Sequence, residues 1–147
     1  MAKTTLRVVL DPTVLVEALL DRDGGSARLL RAATSRELRL VWSEELRVRF
    51  EAALLEEEVR RAGSWSEEDA RRLLDGLELL AVEVDHDDDV PGSGDGTGAA
   101  ADGIYFELAF RAAAVVASTD PATLARSGHL GVEVLRPETV VAALTSL

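Results

Sequence analysis

Short apolar runs alternate with longer segments of helical periodicity along most of this chain. The runs cover residues 5–10, 38–42, 79–84, 113–117 and 132–135. Several of them carry consecutive apolar residues, which is typical of strands that are buried on both faces of a sheet. Helices between such strands favour parallel pairing, because each helix carries the chain back to the end of the sheet at which the preceding strand began. The pattern predicts an α/β fold of three layers, α/β/α, with a central, mainly parallel five-stranded sheet.

Capping residues and helix breakers predict where the helices begin and end. Pro12 suits the first turn of a helix that stops within residues 21–25, and Ser26 is predicted to cap the next helix. Ser43 opens a third helix, which is predicted to run to about Arg61. Later helices are predicted from Ser64 or Ser66, from about Ala100, over residues 122–126 and from Pro137.

Length and composition predict one domain. The 147 residues, of which 47% are hydrophobic, are enough for a sizeable core, so we expect residues 1–147 to form a single unit. No apolar run approaches the ~20 residues that cross a bilayer. The N-terminus lacks the apolar core of a signal peptide, so we expect a cytoplasmic protein. Residues 85–99 are acidic and rich in glycine, and we expect a flexible loop there.

The residue types that are missing limit the chemistry. The chain has no cysteine, which excludes disulfides and thiolate sites, and its two histidines, His86 and His129, argue against an imidazole-rich zinc site. Any metal must then be held mainly by oxygen. The formal net charge of -11 argues against general electrostatic attraction of nucleic acid. It does not exclude a nuclease, because a divalent cation in an acidic site presents positive charge locally.

Three carboxylates are predicted to meet at one edge of the sheet. Asp11 directly follows the first predicted strand, and Asp120 closely follows the fourth. Asp102 falls in the first turn of the helix that is predicted near Ala100. Parallel strands bind their ligands outside their carboxyl ends. Carboxylates that lie close together repel each other, and Mg²⁺ or Mn²⁺ keeps them ionised. Such ions activate water for phosphodiester hydrolysis.

Each of these residues also has a purely structural interpretation. Asp11 is suited to cap the helix that follows it, and Asp102 is an acid at a helix N-terminus. Asp120 precedes Pro121 and is typical of a turn. Taken together at one sheet edge, the three favour a functional site.

Four segments carry a resemblance to a known family. Residues 7–16 are similar to the opening strand of the PIN-domain nucleases, which ends in Asp and leads into a helix. Residues 102–109 and 115–120 resemble the closing pair of that family, an Asp at a helix start and a strand that ends in Thr or Ser, any residue, Asp. Residues 131–138 resemble its last strand and helix. The likeness covers nearly the whole chain except residues 85–99, and it is greatest to VapC-like toxins of type II toxin–antitoxin pairs.

The resemblance implies a function and its residues. Asp11, Asp102 and Asp120 would hold Mg²⁺ or Mn²⁺, and Ser118 would orient one of them or a water molecule. RNA would be the substrate, an antitoxin protein would cover the acidic groove, and a homodimer is expected as in many relatives.

Two departures from the family pattern leave a second function open. The family has an acid about six residues after a serine like Ser43, and Arg49 stands there in this chain, while Thr13 replaces the usual Asn. Glu45, one turn before Arg49, is the candidate substitute ligand. If Arg49 neutralises the acids, the chain is instead a PIN-fold binding protein without catalysis. A flavodoxin-like or receiver-like domain is disfavoured, because no suitable lysine lies near the last strands.

Overall fold

The computed structural model describes residues 5–84 and 100–145, so the loop predicted over residues 85–99 lies outside the described residues. The strands are β1 (Leu6–Leu10), β2 (Leu38–Trp42), β3 (Val82–Glu83), β4 (Val115–Ala117) and β5 (Val134–Leu135). The described helices are α1 (Pro12–Leu20), α2 (Gly25–Thr34), α3 (Glu44–Leu54), α4 (Glu57–Gly63), α5 (Glu67–Leu80), α6 (Ala100–Ala112), α7 (Pro121–Leu124) and α8 (Pro137–Thr145).

The strands form one parallel sheet in the order β3-β2-β1-β4-β5. This confirms the predicted α/β fold with a central five-stranded sheet, and the sheet is parallel throughout. In the central strand β1, Val8, Val9 and Leu10 are all buried. Since successive side chains of a strand point to opposite faces, both faces of β1 are covered.

Helices cover the sheet and complete its core. α6 packs against β1, β2 and β4, while α1 contacts β1 and α2 contacts β2. Trp42, at the end of β2, stacks on Phe50 of α3 with ring centroids 5.1 Å apart. None of the helices in the described ranges combines the length and the apolarity that a bilayer crossing requires.

Several predicted boundaries were wrong, each for a local reason. The helix predicted from Ser43 to about Arg61 is two helices, because α3 ends at Leu54 and α4 begins only at Glu57. The strand predicted over residues 79–84 has two residues, because α5 continues to Leu80.

The last two strands are also shorter than predicted. β4 begins at Val115, because Ala113 ends α6 in the left-handed conformation with φ of 53°. β5 begins at Val134, because a 3₁₀ turn occupies His129–Gly131. The short helix predicted over residues 122–126 is α7, which begins one residue earlier and ends at Leu124.

The predicted cap of the second helix was wrong as well. Gly24 is the N-cap of α2, and Ser26 lies inside the helix. The Ser26 hydroxyl donates to Oε2 of Glu17 in α1 at 3.2 Å. The side chain that sequence reasoning assigned to local capping therefore joins two helices.

Candidate functional site

The candidate site lies where the order of the strands reverses. β1 has β2 on one side and β4 on the other, so the chain crosses over between these neighbours. Leu10 pairs with Ala117, and the Asp11 N–H donates to the Ala117 carbonyl at 3.0 Å. Asp11 and Ser118 therefore follow adjacent strand ends. In open parallel sheets this reversal is the usual place for a ligand.

Asp11 is held in a fixed orientation by two hydrogen bonds. Its Oδ1 accepts the Thr13 N–H at 3.1 Å, so Asp11 is the N-cap of α1, as the structural interpretation predicted. Its Oδ2 accepts the Ser118 hydroxyl at 2.7 Å. With 5% of its surface exposed, Asp11 is a buried carboxylate. Such a group needs partners, because burial of an uncompensated charge is costly.

Ser118 connects the two acidic strand ends. Its hydroxyl oxygen accepts the Asp120 N–H at 3.0 Å while the hydroxyl proton goes to Asp11. Its own N–H donates to the Leu135 carbonyl of β5 at 3.0 Å. Ser118 is fully buried. It therefore fixes the Asp120 backbone relative to the Asp11 carboxylate.

Asp120 is half-buried and caps the next helix. Its Oδ1 accepts the Ala122 N–H at 3.3 Å, and its Oδ2 accepts the Thr123 hydroxyl at 3.0 Å. Capping and a role in a site are compatible, since an ionised carboxylate has about four acceptor positions and these bonds use two.

Asp102 lies in the first turn of α6, as predicted, and α6 packs on β1 and β4. The Asp102 side chain is outside the described part of the structure. Within the described part, no three His, Asp or Glu side chains are grouped so that they hold one ion. Convergence of Asp102 with Asp11 and Asp120 therefore stays a prediction.

The chemistry of the two described carboxylates fits a hard cation. Among the described side chains of this network, the atoms that could bind a metal are carboxylate and hydroxyl oxygens, which are the ligand types that Mg²⁺ and Mn²⁺ prefer. Asp11 accepts one hydrogen bond at each oxygen and keeps a lone pair on both.

Arg49 of α3 contacts a residue of its own helix and a residue of α6. Its Nη2 lies 3.9 Å from Oε1 of Glu45, one turn earlier on α3. Its Cζ lies 5.7 Å from the ring centroid of Tyr105, which is buried on α6 three residues after Asp102. The candidate ligand Glu45 is thus ion-paired with Arg49, and its role as a ligand stays a prediction.

Sequence reasoning missed a hydrogen-bond network beside the site. Glu17 accepts the Thr119 hydroxyl at Oε1 at 3.1 Å and the Ser26 hydroxyl at Oε2 at 3.2 Å. The Thr13 and Thr119 hydroxyl oxygens are 3.4 Å apart. Because Thr119 has one proton and gives it to Glu17, Thr13 is the donor to Thr119. A signal was present in the sequence, since Glu17 is the one charged residue of the helix PTVLVEALL.

Comparison with known proteins agrees with this fold. A family model described as PIN domain matches residues 7–121, a range that starts in β1 and ends one residue after Asp120. Among curated proteins, none matches the chain. PIN domains form a nuclease superfamily whose members generally use divalent metal ions and are associated with RNA. Since the match covers most of the sequence and the sheet is the expected one, this chain belongs to the PIN-domain family.

Proposed function

We propose that this protein is a metal-dependent ribonuclease of the PIN type, which hydrolyses RNA phosphodiester bonds. The observation that carries the proposal is the hydroxyl of Ser118, which donates to Asp11 and accepts the N–H of Asp120. It ties together two carboxylate-bearing residues from opposite ends of the sequence. They meet at the strand reversal, where parallel sheets bind ligands.

Asp11, Asp120 and Asp102 are the proposed ligands of Mg²⁺ or Mn²⁺. A bound ion of this kind would lower the pKa of water and offset negative charge on the phosphate. The protein supplies the geometry in advance, because Thr13 and Ser118 hold both Asp11 oxygens in a single orientation. Preorganised ligands favour binding, since less side-chain freedom is lost when the ligand arrives.

Ser118 has a positioning role in this proposal. Its only proton is given to Asp11, so it does not act as a nucleophile while that 2.7 Å bond persists. The Glu17 network supports the same segment, because it anchors Thr119 between Ser118 and Asp120. These contacts keep the strand end rigid.

The charge of the chain makes the cation necessary for binding as well as for hydrolysis. With 27 acidic and 16 basic residues, the protein repels a polyanion at long range. A divalent cation between the carboxylates and a phosphodiester reverses that repulsion locally.

Within this function, a toxin restrained by an antitoxin is a finer proposal that the family likeness alone supports. A homodimer has some support from exposed apolar side chains. Val48 on α3 is 61% exposed and Leu79 on α5 is 88% exposed, and these two helices pack against each other. Size measurement by light scattering tests the dimer directly.

The test of the ribonuclease is cleavage of a labelled single-stranded RNA pool in the presence of Mn²⁺. Asp120→Asn should abolish cleavage and leave the fold intact, because Asn is also a good helix N-cap. Asp23→Asn is the matched control, since it makes the same chemical change in an exposed turn. Equal cleavage by Asp120→Asn and the parent protein would refute the assignment.

A PIN-fold binding protein without catalysis is the second candidate. The contact of Arg49 with Tyr105 favours it, because the Arg49 guanidinium packs against α6, the helix that carries Asp102. A guanidinium among carboxylates neutralises them and takes the room of a metal ion. This candidate is favoured if the protein binds neither Mn²⁺ nor RNA but binds a protein partner.

A further inference from the structure

A cavity lies at the amino-terminal ends of the strands, at the opposite end of β1 from Asp11. It has a volume of about 380 Å³ and is lined by Thr5, Arg7, Arg39, Val82, Ala112 and Ala113. This volume lies in the range of small-molecule pockets, about 300–1,000 Å³. Arg7 precedes Asp11 by four residues on the same extended segment, which separates the two places by about 13 Å. The cavity is therefore independent of the candidate metal site.

Two arginines stand side by side in this cavity. Arg7 of β1 and Arg39 of β2 are direct partners in the parallel register. Neighbouring strands lie only about 5 Å apart, and like charges in such pairs repel each other. A chain with a net charge of -11 offers many acids to relieve that repulsion. The arrangement calls for a negative partner.

No carboxylate provides that partner within residues 5–84 and 100–145. The salt bridges of the described residues include those of Arg47, Arg49, Arg61, Arg71 and Arg72, and none of them involves Arg7 or Arg39. Glu37, two residues before Arg39, is exposed and forms no ion pair with it in these ranges. The two cationic side chains are thus left to solvent or to a ligand.

Helix capping explains only part of this arrangement. Arg7 Nη1 donates to the Ala112 carbonyl at the end of α6 at 3.3 Å, and Arg39 Nε donates to the Leu80 carbonyl at the end of α5 at 3.3 Å. A guanidinium has five N–H donors, so each keeps four. The capping bonds hold both guanidiniums at the cavity and reduce the freedom that a ligand would have to remove.

We propose that this cavity binds a phosphate group, as the free anion or as the terminal phosphate of a nucleotide. Two guanidinium forks match the charge of a phosphate dianion and its several acceptor oxygens, whereas a carboxylate satisfies one fork. The volume leaves room beside a phosphate for part of a nucleoside. The proposal does not depend on the ribonuclease activity.

Calorimetry in a buffer without phosphate tests the proposal with inorganic phosphate and with adenosine monophosphate. The parent protein should bind at least one of them saturably in the millimolar range or tighter. Arg7→Gln and Arg39→Gln should each weaken binding about tenfold or more, the value of a lost charge-assisted hydrogen bond. Arg28→Gln, a change at an exposed arginine of α2, should leave affinity unchanged.

The source of the phosphate is read from the same titrations. Tighter binding of adenosine monophosphate assigns a nucleotide, and binding of inorganic phosphate alone assigns the free anion. Arg7→Lys and Arg39→Lys keep the charge but lose the fork, so they should bind less tightly than the parent even if a Gln variant unfolds. Phosphate binding that all Arg variants retain, or no binding of either ligand by the folded parent protein, would overturn the proposal. Asp11→Asn should bind phosphate normally, which separates this site from the metal site.

Discussion

The hydroxyl of Ser118 donates a 2.7 Å hydrogen bond to Oδ2 of Asp11, a residue 107 positions away in the chain. Both groups are buried. A buried carboxylate is stable only with such donors, and this donor comes from the neighbouring strand end. The bond therefore contributes both to the fold and to the orientation of the proposed metal ligand.

Ser118→Ala should destabilise the protein by about 1–3 kcal/mol, the usual cost of a buried polar group that loses its partner. The variant leaves Oδ2 of Asp11 and the N–H of Asp120 without this hydroxyl. Urea unfolding measures the loss. Ser35→Ala is the control, since Ser35 is exposed at the end of α2. Equal, small losses in both variants would show that the buried bond contributes nothing.

Arg49→Glu should raise Mn²⁺ affinity about tenfold or more, because a cation near the site is replaced by a further carboxylate. The expectation rests on the contact between Arg49 and Tyr105, three residues after Asp102. Arg28→Glu makes the same charge change at an exposed position of α2 and should have little effect. If Arg49→Glu binds Mn²⁺ no more tightly than the parent, Arg49 does not block the site. The hypothesis that Arg49 inactivates the protein is then wrong.

Ala113→Gly should stabilise the protein by about 0.5–1 kcal/mol. Ala113 has a φ of 53°, a conformation that costs an L-residue about 1–2 kcal/mol and costs glycine little. The Ala114 N–H donates to the Ala109 carbonyl at 2.8 Å and closes the end of α6 around this residue. Ala52→Gly, inside α3 and exposed, should lose about 1 kcal/mol instead. The same sign for both changes in urea unfolding would contradict the account.

The capping box of α5 predicts a pH dependence. Hydrogen bonds from the Ser66 N–H and the Ser66 hydroxyl lower the pKa of Asp69 below its ordinary value of 3.8. A carboxyl whose pKa is lower in the folded state stabilises the fold above its unfolded-state pKa. This stabilisation is lost as the pH falls through the folded-state pKa. The difference in Tm between the parent and Asp69→Ala should therefore shrink in acid, and a constant difference would refute the assignment.

The fold class could be predicted because each strand carries its own signal. Val8, Val9 and Leu10 are consecutive apolar residues, and consecutive burial requires helices on both faces. β3 gave a misleading signal. Its two residues follow the apolar end of α5, and local periodicity does not distinguish the last helical turn from a strand. The order of the strands depends on contacts between distant segments, so the sequence pattern left it open.

The position of the carboxylates at the carboxyl ends of the strands could be predicted in part. Asp11 and Asp120 follow strands, and the parallel sheet brings those ends together. The partners of Ser26 and Thr119 were not predictable, because both side chains bond Glu17 across elements that no spacing rule connects. Short polar side chains are usually assigned to local caps, and Ser26 is a case where a tertiary contact prevails.

Calorimetric titration of Mn²⁺ into the pure protein, into Asp11→Asn and into Asp23→Asn tests the central claim most directly. Asn at position 11 remains a good N-cap through its single oxygen, and its NH2 group can donate to the Ser118 hydroxyl oxygen, which has a lone pair beside the bond from Asp120. The fold should therefore persist while one charged ligand is lost. The account predicts micromolar binding by the parent and by Asp23→Asn, with about tenfold or greater weakening in Asp11→Asn. Equal affinity in all three proteins, or no binding by a folded parent, would contradict a metal site at this edge.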